Sequence, residues 1–269
     1  MSAPTISAVV LTGDVERHLA ACLRCLAWAD EVMVLDQGSH DQTIAIAEAA
    51  GARVERRPFD DFAHQRQAAL ERARSDWVLF VDDDERVSAG LAAEARAAVT
   101  SGAAAGYWIP RRNYIWGRWI RGGGWFPDAQ LRLLRRARAC YDLDGLVHEV
   151  ARVDGELAAL RCAIVHYNYE TLGQFLRKQR RYAVLDARMR LARGERGRAR
   201  RLLSMPTREL WRRYVQLDGR RDGLHGAALA ALTALAAADT QRQLLARGLG
   251  DGAWRPQPSA PDPQPPLST

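Results

Sequence analysis

The N-terminal part of the chain alternates between the two spacings of apolar positions that mark strands and helices. Short runs of apolar and β-branched residues predict strands at residues 6–11, 32–35, 52–55 and 77–81. Between these runs, apolar residues recur at helical spacing and predict helices at residues 15–28, 43–50 and 62–74. This repeated order predicts an α/β, Rossmann-like fold, in which a mostly parallel sheet carries helices on both faces.

Polar residues gather directly after three of the predicted strands. Ligands of parallel α/β sheets bind beyond the carboxyl ends of the strands, so these loops hold the candidate ligand-binding residues. After the first two strands the candidates are Thr12, Asp14, Asp36, Gly38, Ser39 and Asp41. Small polar residues at such positions also form turns and helix caps, which is the alternative role for Ser39 and Asp41.

The loop after the strand at residues 77–81 is an acidic run, Asp82-Asp83-Asp84-Glu85. Adjacent carboxylates repel one another unless a cation neutralises them. Mg²⁺ and Mn²⁺ take oxygen ligands, typically one or two carboxylates together with substrate phosphates. The run therefore predicts a divalent metal site; the alternative is a solvated acidic turn with Arg86 as its partner.

The C-terminal third is predicted to be helical and basic. Arginines cluster at residues 177–181 and 193–201 and are interleaved with leucines and Trp211. Such spacing is typical of a helix that lies on an anionic membrane surface, and the alternative is a solvated basic face. Residues 227–238 are rich in alanine and predict either a packed helix or a shallow hydrophobic hairpin. The proline-dense residues 256–266 are predicted to be disordered.

Composition narrows the classes of partner and the location. The net charge of +7 and the pI of about 9.7 favour anionic partners. Aromatic residues make up only 7% and no base-stacking motif is present, so nucleic-acid binding is not expected. We expect no leader peptide and no membrane-spanning helix. Cys22 and Cys25 have the spacing of half a zinc site or of a redox pair, but no second pair follows. The four cysteines are therefore expected to be buried thiols of a cytoplasmic protein.

Segments from most of the chain resemble the family 2 glycosyltransferases of the GT-A type, and within them the bacterial group typified by the lipopolysaccharide core β-1,4-glucosyltransferases. The matching segments are residues 6–11, 28–32, 36–43 and 76–87, then Gly123-Gly-Trp-Phe-Pro-Asp128, Gln130-Leu-Arg-Leu133, Val147-His-Glu149, His166-Tyr167 and Asp222-Gly-Leu-His-Gly226. Because the matches continue in order well beyond the nucleotide-binding half, the resemblance is specific.

The resemblance implies a role for each residue that falls on a family motif. Asp36 is expected at the uracil or ribose end of a UDP-sugar pocket. Asp82 and Asp84 resemble the two acids of the DxD element, with Asp84 expected to bind Mg²⁺ or Mn²⁺ directly. Asp82 is expected at the ribose or at a metal-bound water. Metal that bridges the donor phosphates would offset the charge of the departing diphosphate.

An inverting transfer also needs a base near the acceptor hydroxyl. Asp128 is the first candidate and Glu149 the second; the alternatives are a turn residue for Asp128 and an arginine-paired carboxylate at a strand end for Glu149. His166, ahead of His148, is a candidate metal ligand, with a structural role as the alternative. Arg132 is expected either to clamp a phosphate or to neutralise Asp128.

Two loops depart from the family pattern. Residues 12–16 read Thr-Gly-Asp-Val-Glu where the family carries a Lys-Asn-Glu-like stretch, and residues 37–41 read Gln-Gly-Ser-His-Asp in place of Ser-Gly-Ser-Thr-Asp. Both loops belong to the predicted nucleotide-sugar half, so the departures concern the base and the sugar of the donor. The predicted fold does not depend on them.

The sequence therefore predicts a catalytic domain at residues 1–170, with a nucleotide-sugar half at 1–100 and an acceptor half at 101–170. A membrane-associating helical region at 171–247 and a tail at 248–269 follow. The predicted activity is metal-dependent, inverting transfer of glucose from UDP-glucose to a lipopolysaccharide-core or related envelope glycan, on the cytoplasmic face of the inner membrane. The predicted partners are this donor, a glycolipid acceptor and an anionic membrane surface.

Two other classes of function fit the sequence less well. A nucleotidyltransferase normally carries a glycine-rich basic loop after the first strand, whereas residues 12–16 are acidic. A non-enzymatic membrane-binding module with a degenerate transferase fold would be expected to lose its acids, yet Asp36, Asp82 and Asp84 are all present.

Overall fold

The computed structural model describes residues 3–143 and 151–248, which form two compact units. Among these residues, the first unit comprises residues 3–111, 129–143 and 151–166, and the second comprises residues 112–128 and 167–248. The second unit thus includes a segment from the first half of the chain. The domain boundaries predicted from the sequence stay predictions, and the predicted tail lies outside the described residues from position 249 onward.

Strands and helices follow one another in the predicted order through the first four strands. The strands are β1 (Ile6–Thr12), β2 (Glu31–Asp36), β3 (Arg53–Arg56), β4 (Trp77–Val81), β5 (Glu85–Arg86), β6 (Gly106–Ile109), β7 (Arg111–Ile115), β8 (Arg118–Trp119), β9 (Gln130–Arg135), β10 (Ala139–Cys140), β11 (Arg152–Val153), β12 (Leu157–Ala159) and β13 (Ile164–Tyr169). The helices are α1 (Glu16–Arg24), α2 (Thr43–Ala49), α3 (Phe62–Arg72), α4 (Ala89–Ser101), α5 (Leu172–Ala192), α6 (Arg201–Trp211) and α7 (Gly223–Gly248).

The first unit is built on a seven-stranded sheet in the order β12-β6-β9-β4-β1-β2-β3. Strands β3, β2, β1 and β4 are parallel neighbours, and β12 is parallel to β6. Strand β9 lies between β4 and β6 and is antiparallel to both. The predicted mostly parallel sheet is therefore confirmed.

Helices cover both faces of this sheet because alternate residues of a strand point to opposite sides. Ala8 of β1 packs in one apolar cluster with Leu19 of α1 and Leu91 of α4. Its neighbour Val9 packs in a second cluster with Leu70 of α3. The strands that are buried on both faces read as nearly continuous apolar runs, which is the pattern that identified them in the sequence.

Helix ends in the first unit are fixed by local side chains. The Asp61 carboxylate accepts a hydrogen bond from the His64 N–H (2.8 Å) at the start of α3, and the Ser88 hydroxyl accepts one from the Leu91 N–H (3.2 Å) at the start of α4. Helix α4 ends at Gly102, whose φ of +63° is the left-handed conformation that glycine adopts readily at helix ends.

The second unit has its own apolar core. Strands β7 and β8 form an antiparallel hairpin, in which Tyr114 lies opposite Trp119. Ile115 of this hairpin is buried together with Phe175 of α5 and Leu229 of α7. The hairpin is therefore held by helices that come much later in the chain.

The C-terminal region is helical and basic, as the sequence predicts. Residues 227–238 lie within α7, which packs against α5 and α6, so the packed helix is observed and the hydrophobic hairpin is not. Within residues 3–143 and 151–248, no helix combines the length and the apolar character that crossing a bilayer requires.

Candidate active site

Strands β1 and β2 end side by side, and their last residues are Thr12 and Asp36. The Asp36 side chain is buried and its Oδ1 accepts a hydrogen bond from the Thr12 hydroxyl (3.2 Å). A buried charge is costly unless hydrogen bonds compensate for its lost hydration. The loop that follows β2 supplies those bonds.

The Asp36 carboxylate organises this loop. Its Oδ2 accepts hydrogen bonds from the N–H groups of Gly38 (2.9 Å) and Ser39 (3.0 Å), and its Oδ1 accepts one from the Ser39 hydroxyl (2.5 Å). Gly38 has a φ of +103°, which L side chains rarely adopt. The shape of the loop thus depends on Asp36 and Gly38, and their predicted contact with the donor stays a prediction.

Asp14 and Asp41 join the loops that follow β1 and β2. The Asp14 N–H donates to the Ser39 hydroxyl (3.0 Å), while Asp41 accepts hydrogen bonds from the N–H groups of Thr43 (2.9 Å) and Glu16 (3.1 Å). Burial alone would raise the pKa of Asp41, but the bonds from Thr43 and Glu16 outweigh it and lower that pKa. These contacts are the turn and capping roles that the sequence left as the alternative.

The acidic run forms a tight turn closed at both ends. The Glu85 N–H donates to the Asp82 carbonyl (3.0 Å), and the Asp82 N–H donates to the Glu85 carboxylate (3.0 Å). Arg86 donates to the main-chain carbonyls of Asp83 (2.8 Å) and Glu85 (2.7 Å). Arg86 therefore stabilises the main chain of the turn.

Arg132 clamps the first carboxylate of the run. Its two terminal nitrogens donate to the two oxygens of Asp82, at 3.0 and 2.5 Å, from strand β9 next to β4. Arg66 of α3 lies 3.7 Å from Asp82 Oδ1. Burial acts to raise the pKa of Asp82, but the charges of Arg132 and Arg66 prevail and hold it well below its usual range.

Glu85, the last carboxylate of the run, is buried beneath the turn. Its Oε1 lies 3.5 Å from nitrogens of both Arg111 and Arg132. Burial raises the pKa of Glu85 despite these two cations. Neither Arg66 nor Arg111 belongs to a motif around the acidic run, so the sequence carries no local signal that these arginines reach the turn.

The two middle carboxylates of the turn, Asp83 and Asp84, are half-buried. Strands β5 and β13 pair so that His166 lies opposite Glu85, and this brings the His166 Nε2 to 3.4 Å from Asp84 Oδ2. Burial and the charges of Asp84 and Asp82 raise the pKa of Asp83 to about 8. Negative charge on this part of the turn is therefore not fully compensated by the protein.

A divalent cation fits this donor set. Asp84 and His166 offer an oxygen and a nitrogen close together, and a cation would relieve the repulsion that raises the pKa of Asp83. Two protein ligands are what Mg²⁺ or Mn²⁺ uses when substrate phosphates and water complete the shell. Asp82, predicted to lie at the ribose or at a metal-bound water, is already paired with Arg132.

A second group of metal-type ligands lies at the start of α3. Oxygen and nitrogen atoms of Asp60, Asp61 and His64 lie within 4.8 Å of one another. Asp60 forms a two-point ion pair with Arg57, and Asp61 caps α3 and contacts His64 Nδ1 at 2.7 Å. These contacts account for the cluster as the cap of a helix.

Asp128 lies in the second unit, directly after the cis peptide bond between Phe126 and Pro127. Its Oδ2 accepts a hydrogen bond from the Asn113 side-chain amide (2.9 Å), which also donates to the Trp125 carbonyl (2.7 Å). The φ of Asp128 is +38°, an uncommon backbone conformation for a residue with a side chain. Asn113 thus fixes both the loop and the carboxylate, a role with no signal in the sequence.

Asp222 anchors the other end of the same loop. Its buried carboxylate accepts hydrogen bonds from the N–H groups of Arg121 (3.0 Å) and Gly122 (2.7 Å), and the Gly123 N–H donates to the Leu217 carbonyl (2.7 Å). The Asp222-Gly-Leu-His-Gly226 motif is therefore tied structurally to the Gly123–Asp128 motif. Glu149 and His148, the other predicted candidates of this region, lie outside the described residues.

The Cys22 and Cys25 thiols lie behind the acidic turn. Cys22 donates to the Asp82 carbonyl (3.5 Å), and the Val87 N–H donates to Cys25 Sγ (3.2 Å). Cys22 is buried as expected, whereas Cys25 and Cys162 are half-buried and Cys140 is exposed, contrary to the prediction that all four are buried. Its short strand β10 pairs only with β11 among the described strands and leaves that side chain at the surface.

The sequence of the chain is similar to those of known glycosyltransferases. Residues 7–150, more than half of the chain, match the family model Glycosyl transferase family 2. The lipopolysaccharide core biosynthesis glycosyltransferase LpsC of Rhizobium meliloti (strain 1021) is 29% identical over 250 residues, which cover 85% of this chain and 90% of LpsC. An uncharacterized glycosyltransferase of Rickettsia conorii, RC0292, is 37% identical over 87 residues, only 32% of this chain and 31% of that relative.

Solved structures with a similar chain path were also found. S. aureus TarS 1-349 in complex with UDP is 17% identical, with a TM-score of 0.49 over 89% of this chain and 91% of TarS 1-349. Glucosyl-3-phosphoglycerate synthase from Mycobacterium tuberculosis, in complex with Mn²⁺, UDP-glucose and phosphoglyceric acid, is 25% identical, with a TM-score of 0.36 over 40% of this chain and 44% of the synthase.

The family match begins in β1 and continues through the acidic turn after β4. It therefore covers the parallel strands, the loops held by Asp36 and the carboxylates of the turn. The predicted α/β fold and the predicted enzyme class are confirmed. By its sequence over residues 7–150, the chain belongs to glycosyl transferase family 2.

Proposed function

We propose that the chain is a metal-dependent, inverting glycosyltransferase that moves glucose from UDP-glucose to a lipopolysaccharide-core or related cell-envelope glycan. The observation that carries this proposal is the turn after β4. There Asp84 approaches His166 to 3.4 Å, and the pKa of Asp83 is raised by burial and by its acidic neighbours. A site with uncompensated negative charge at the end of a central strand suits a cation and a diphosphate.

Asp84 and His166 are the residues that would hold Mg²⁺ or Mn²⁺, and the ion when bound would supply Lewis-acid stabilisation of the diphosphate. Asp82 is assigned to the ribose, because Arg132 and Arg66 already compensate its charge while 35% of its side chain remains exposed. The loops held by Asp36 and Asp14 are assigned to the rest of the nucleotide.

Asp128 is assigned the role of the base. A carboxylate that takes the proton of the acceptor hydroxyl makes that hydroxyl a better nucleophile as the bond to the anomeric carbon forms. The Asn113 amide and the anchored loop hold Asp128 in one orientation, which a proton transfer between fixed atoms requires. Attack opposite the departing UDP inverts the configuration of the transferred sugar.

The similarity to LpsC and the charge of the chain support the proposed acceptor and location. LpsC, which is similar over 85% of this chain, has a name that places it in lipopolysaccharide core biosynthesis. The net charge of +7 suits phosphorylated glycolipids and an anionic bilayer. We therefore place the enzyme on the cytoplasmic face of the inner membrane, with a glycolipid acceptor.

The test is the thermal shift that UDP produces with and without Mn²⁺, on the wild-type chain and on Asp84→Asn. Wild type is expected to gain stability from UDP only when Mn²⁺ is present, since a ligand that binds only the folded state raises Tm. Asp84→Asn is expected to lose the metal-dependent part of the shift. The matched control is Asp60→Asn, from the acidic group at the start of α3, which is expected to keep the full shift.

Loss of the shift in Asp60→Asn but not in Asp84→Asn would place the metal at the start of α3 and overturn the assignment. ADP and GDP in place of UDP test the donor base, and UDP is expected to give the largest shift.

Asp128→Asn is expected to keep the shift but lose transfer of glucose to lipopolysaccharide-core acceptor. NMR of the product is expected to show the anomeric configuration opposite to that of UDP-glucose, and retention would contradict the inverting mechanism.

A further inference from the structure

One face of α6 and of the turn that follows it is apolar and exposed to solvent. Leu203, Leu210, Trp211 and Tyr214 have 80%, 41%, 59% and 36% of their surface exposed. Their spacing places all four on the same side of the helix. Exposed apolar residues are common singly, but a contiguous set of four, which includes a tryptophan, marks an interaction surface.

The remainder of this face is compatible with an apolar environment. The Thr207 hydroxyl lies among the four side chains and donates to the Leu203 carbonyl (3.0 Å), so its polar group is satisfied within the helix. On the opposite side, Leu202, Met205 and Pro206 are half-buried within the second unit. The exposed side chains are therefore not needed for the core of that unit.

Positive charge borders the apolar face. Arg208 is exposed on its flank, and Arg200 and Arg201 precede it at the start of the helix. Further along, Arg220 and Arg221 have 66% and 69% of their side chains exposed. Apolar residues with an aromatic ring, flanked by arginines, are complementary to a bilayer that carries anionic headgroups.

We infer that Leu203, Leu210, Trp211 and Tyr214 insert into the interface of an anionic bilayer and that Arg208 binds its headgroups. This surface lies in α6 and not in the arginine clusters at residues 177–181 and 193–201, for which the sequence predicts membrane contact. The inference rests on the proposed function, because a lipid-linked acceptor is what brings the enzyme to a membrane. Binding to the bilayer is nevertheless measured separately from binding of UDP.

The experiment is sedimentation of the full chain with vesicles of phosphatidylcholine, with and without phosphatidylglycerol. Wild type is expected to bind the anionic vesicles and to bind neutral vesicles weakly. Leu203→Asp is expected to weaken binding by about tenfold or more, since it removes an apolar side chain that the bilayer would bury. Arg208→Gln is expected to weaken binding to anionic vesicles by about fivefold.

The matched control is Leu157→Asp, which places the same change on an exposed leucine of β12 in the first unit and is expected to leave vesicle binding unchanged. All variants are expected to keep the wild-type thermal shift with UDP and Mn²⁺, which shows that they are folded and separates this test from that of the proposed function. Equal vesicle binding by wild type and Leu203→Asp would overturn the inference. So would a wild-type dimer in solution that Leu203→Asp converts to a monomer, because the face would then join two copies of the chain.

Discussion

At the scale of single residues, the acidic turn depends on one buried arginine. Arg132 pairs with Asp82 at two points and lies 3.5 Å from the buried Glu85. Removing one partner of a buried charge pair leaves the other charge uncompensated. We expect Arg132→Met to lower the free energy of unfolding by about 3 kcal/mol in urea melts.

The matched control is Arg152→Met, because the ion pair of Arg152 with Asp142 is on the surface, with 72% of the Arg152 side chain exposed. Its expected loss is below about 1 kcal/mol. Adding Glu85→Gln to Arg132→Met is expected to restore part of the stability. Equal losses in Arg132→Met and Arg152→Met would show that the buried cluster has no special role.

The thiols of Cys22 and Cys25, which lie behind the acidic turn, have pKa values shifted in opposite directions. The neighbouring Cys22 thiol lowers the pKa of Cys25 to about 7, helped by the Val87 N–H and opposed by burial. The pKa of Cys22 is raised by its bond with Cys25 and by burial. Because the thiolate is the reactive form, alkylation of Cys25 by iodoacetamide is expected to rise with pH around a midpoint near 7.

Peptide mass spectrometry after timed alkylation measures this midpoint. Cys22→Ala removes the neighbouring thiol and is expected to move the midpoint of Cys25 toward the usual thiol range of about 8.5. A midpoint near 8.5 in the wild-type chain would contradict the prediction. Modification of Cys22 at neutral pH, before Cys25, would contradict it as well.

At the scale of elements, the loop that carries Asp128 is held by a residue far along the chain. The Asp222 carboxylate accepts hydrogen bonds from the N–H groups of both Arg121 and Gly122. An asparagine has only one accepting oxygen, and its amide group would face an N–H donor. We expect Asp222→Asn to lower kcat by about tenfold or more through misplacement of Asp128.

Comparison of the effects on kcat and on KM tests the role of Asp222 in holding the loop of Asp128. KM for UDP-glucose and the thermal shift with UDP are expected to stay near wild type in Asp222→Asn, because the proposed donor site lies in the other unit. Asp239→Asn on α7 is the control, since Asp239 pairs with Arg242 at the surface and contributes nothing to the loop. A matching loss of donor binding in Asp222→Asn would point to general unfolding.

Gly226 of α7 packs so closely that alanine at this position is expected to destabilise the chain, although alanine is the better helix former. Alanine normally stabilises a helix relative to glycine by about 1 kcal/mol. A Cβ on Gly226 of α7, however, would lie 1.8 Å from the Gly219 carbonyl oxygen. We therefore expect Gly226→Ala to destabilise the chain by about 1–3 kcal/mol.

Gly173→Ala in α5 is the matched control, because a Cβ there meets only the end of the flexible Arg177 side chain, at 3.3 Å. Thermal melts are expected to show equal or higher stability for Gly173→Ala and lower stability for Gly226→Ala. The same direction in both variants would mean that the Gly219 segment moves aside without cost.

The elements that the sequence predicted well are those whose pattern is local. The run of residues 77–81 is apolar throughout and appears as β4 with the same bounds. Strands β5, β8 and β10 are two residues long and have no period to detect. The placement of β9 between β4 and β6 is set by long-range antiparallel pairing, which apolar spacing in the sequence does not report.

At the scale of the whole molecule, each group of candidate residues is held by side chains from other elements of its own unit. The order of motifs predicted which strand ends carry the acids, since parallel strands bring their carboxyl ends to one edge. It could not predict that Arg66 and Arg111 reach the turn, or that Asn113 and Asp222 hold the loop of Asp128. Those contacts depend on where separate elements pack, which a local pattern does not encode.

The second unit contains residues from both sides of position 170, where the sequence predicts the end of the catalytic domain. This arrangement predicts what happens when the chain is cut there. A chain of residues 1–170 keeps Ile115 and Ile120 but loses Phe175 and Leu229, which bury them, and it also loses Asp222. We expect this chain to bind the dye ANS, because apolar side chains become exposed, and to transfer no sugar. A chain of residues 1–248 is the control and is expected to retain transfer and weak ANS binding. Full transfer by residues 1–170 would show that the later helices serve membrane binding alone and that the acceptor half folds without them.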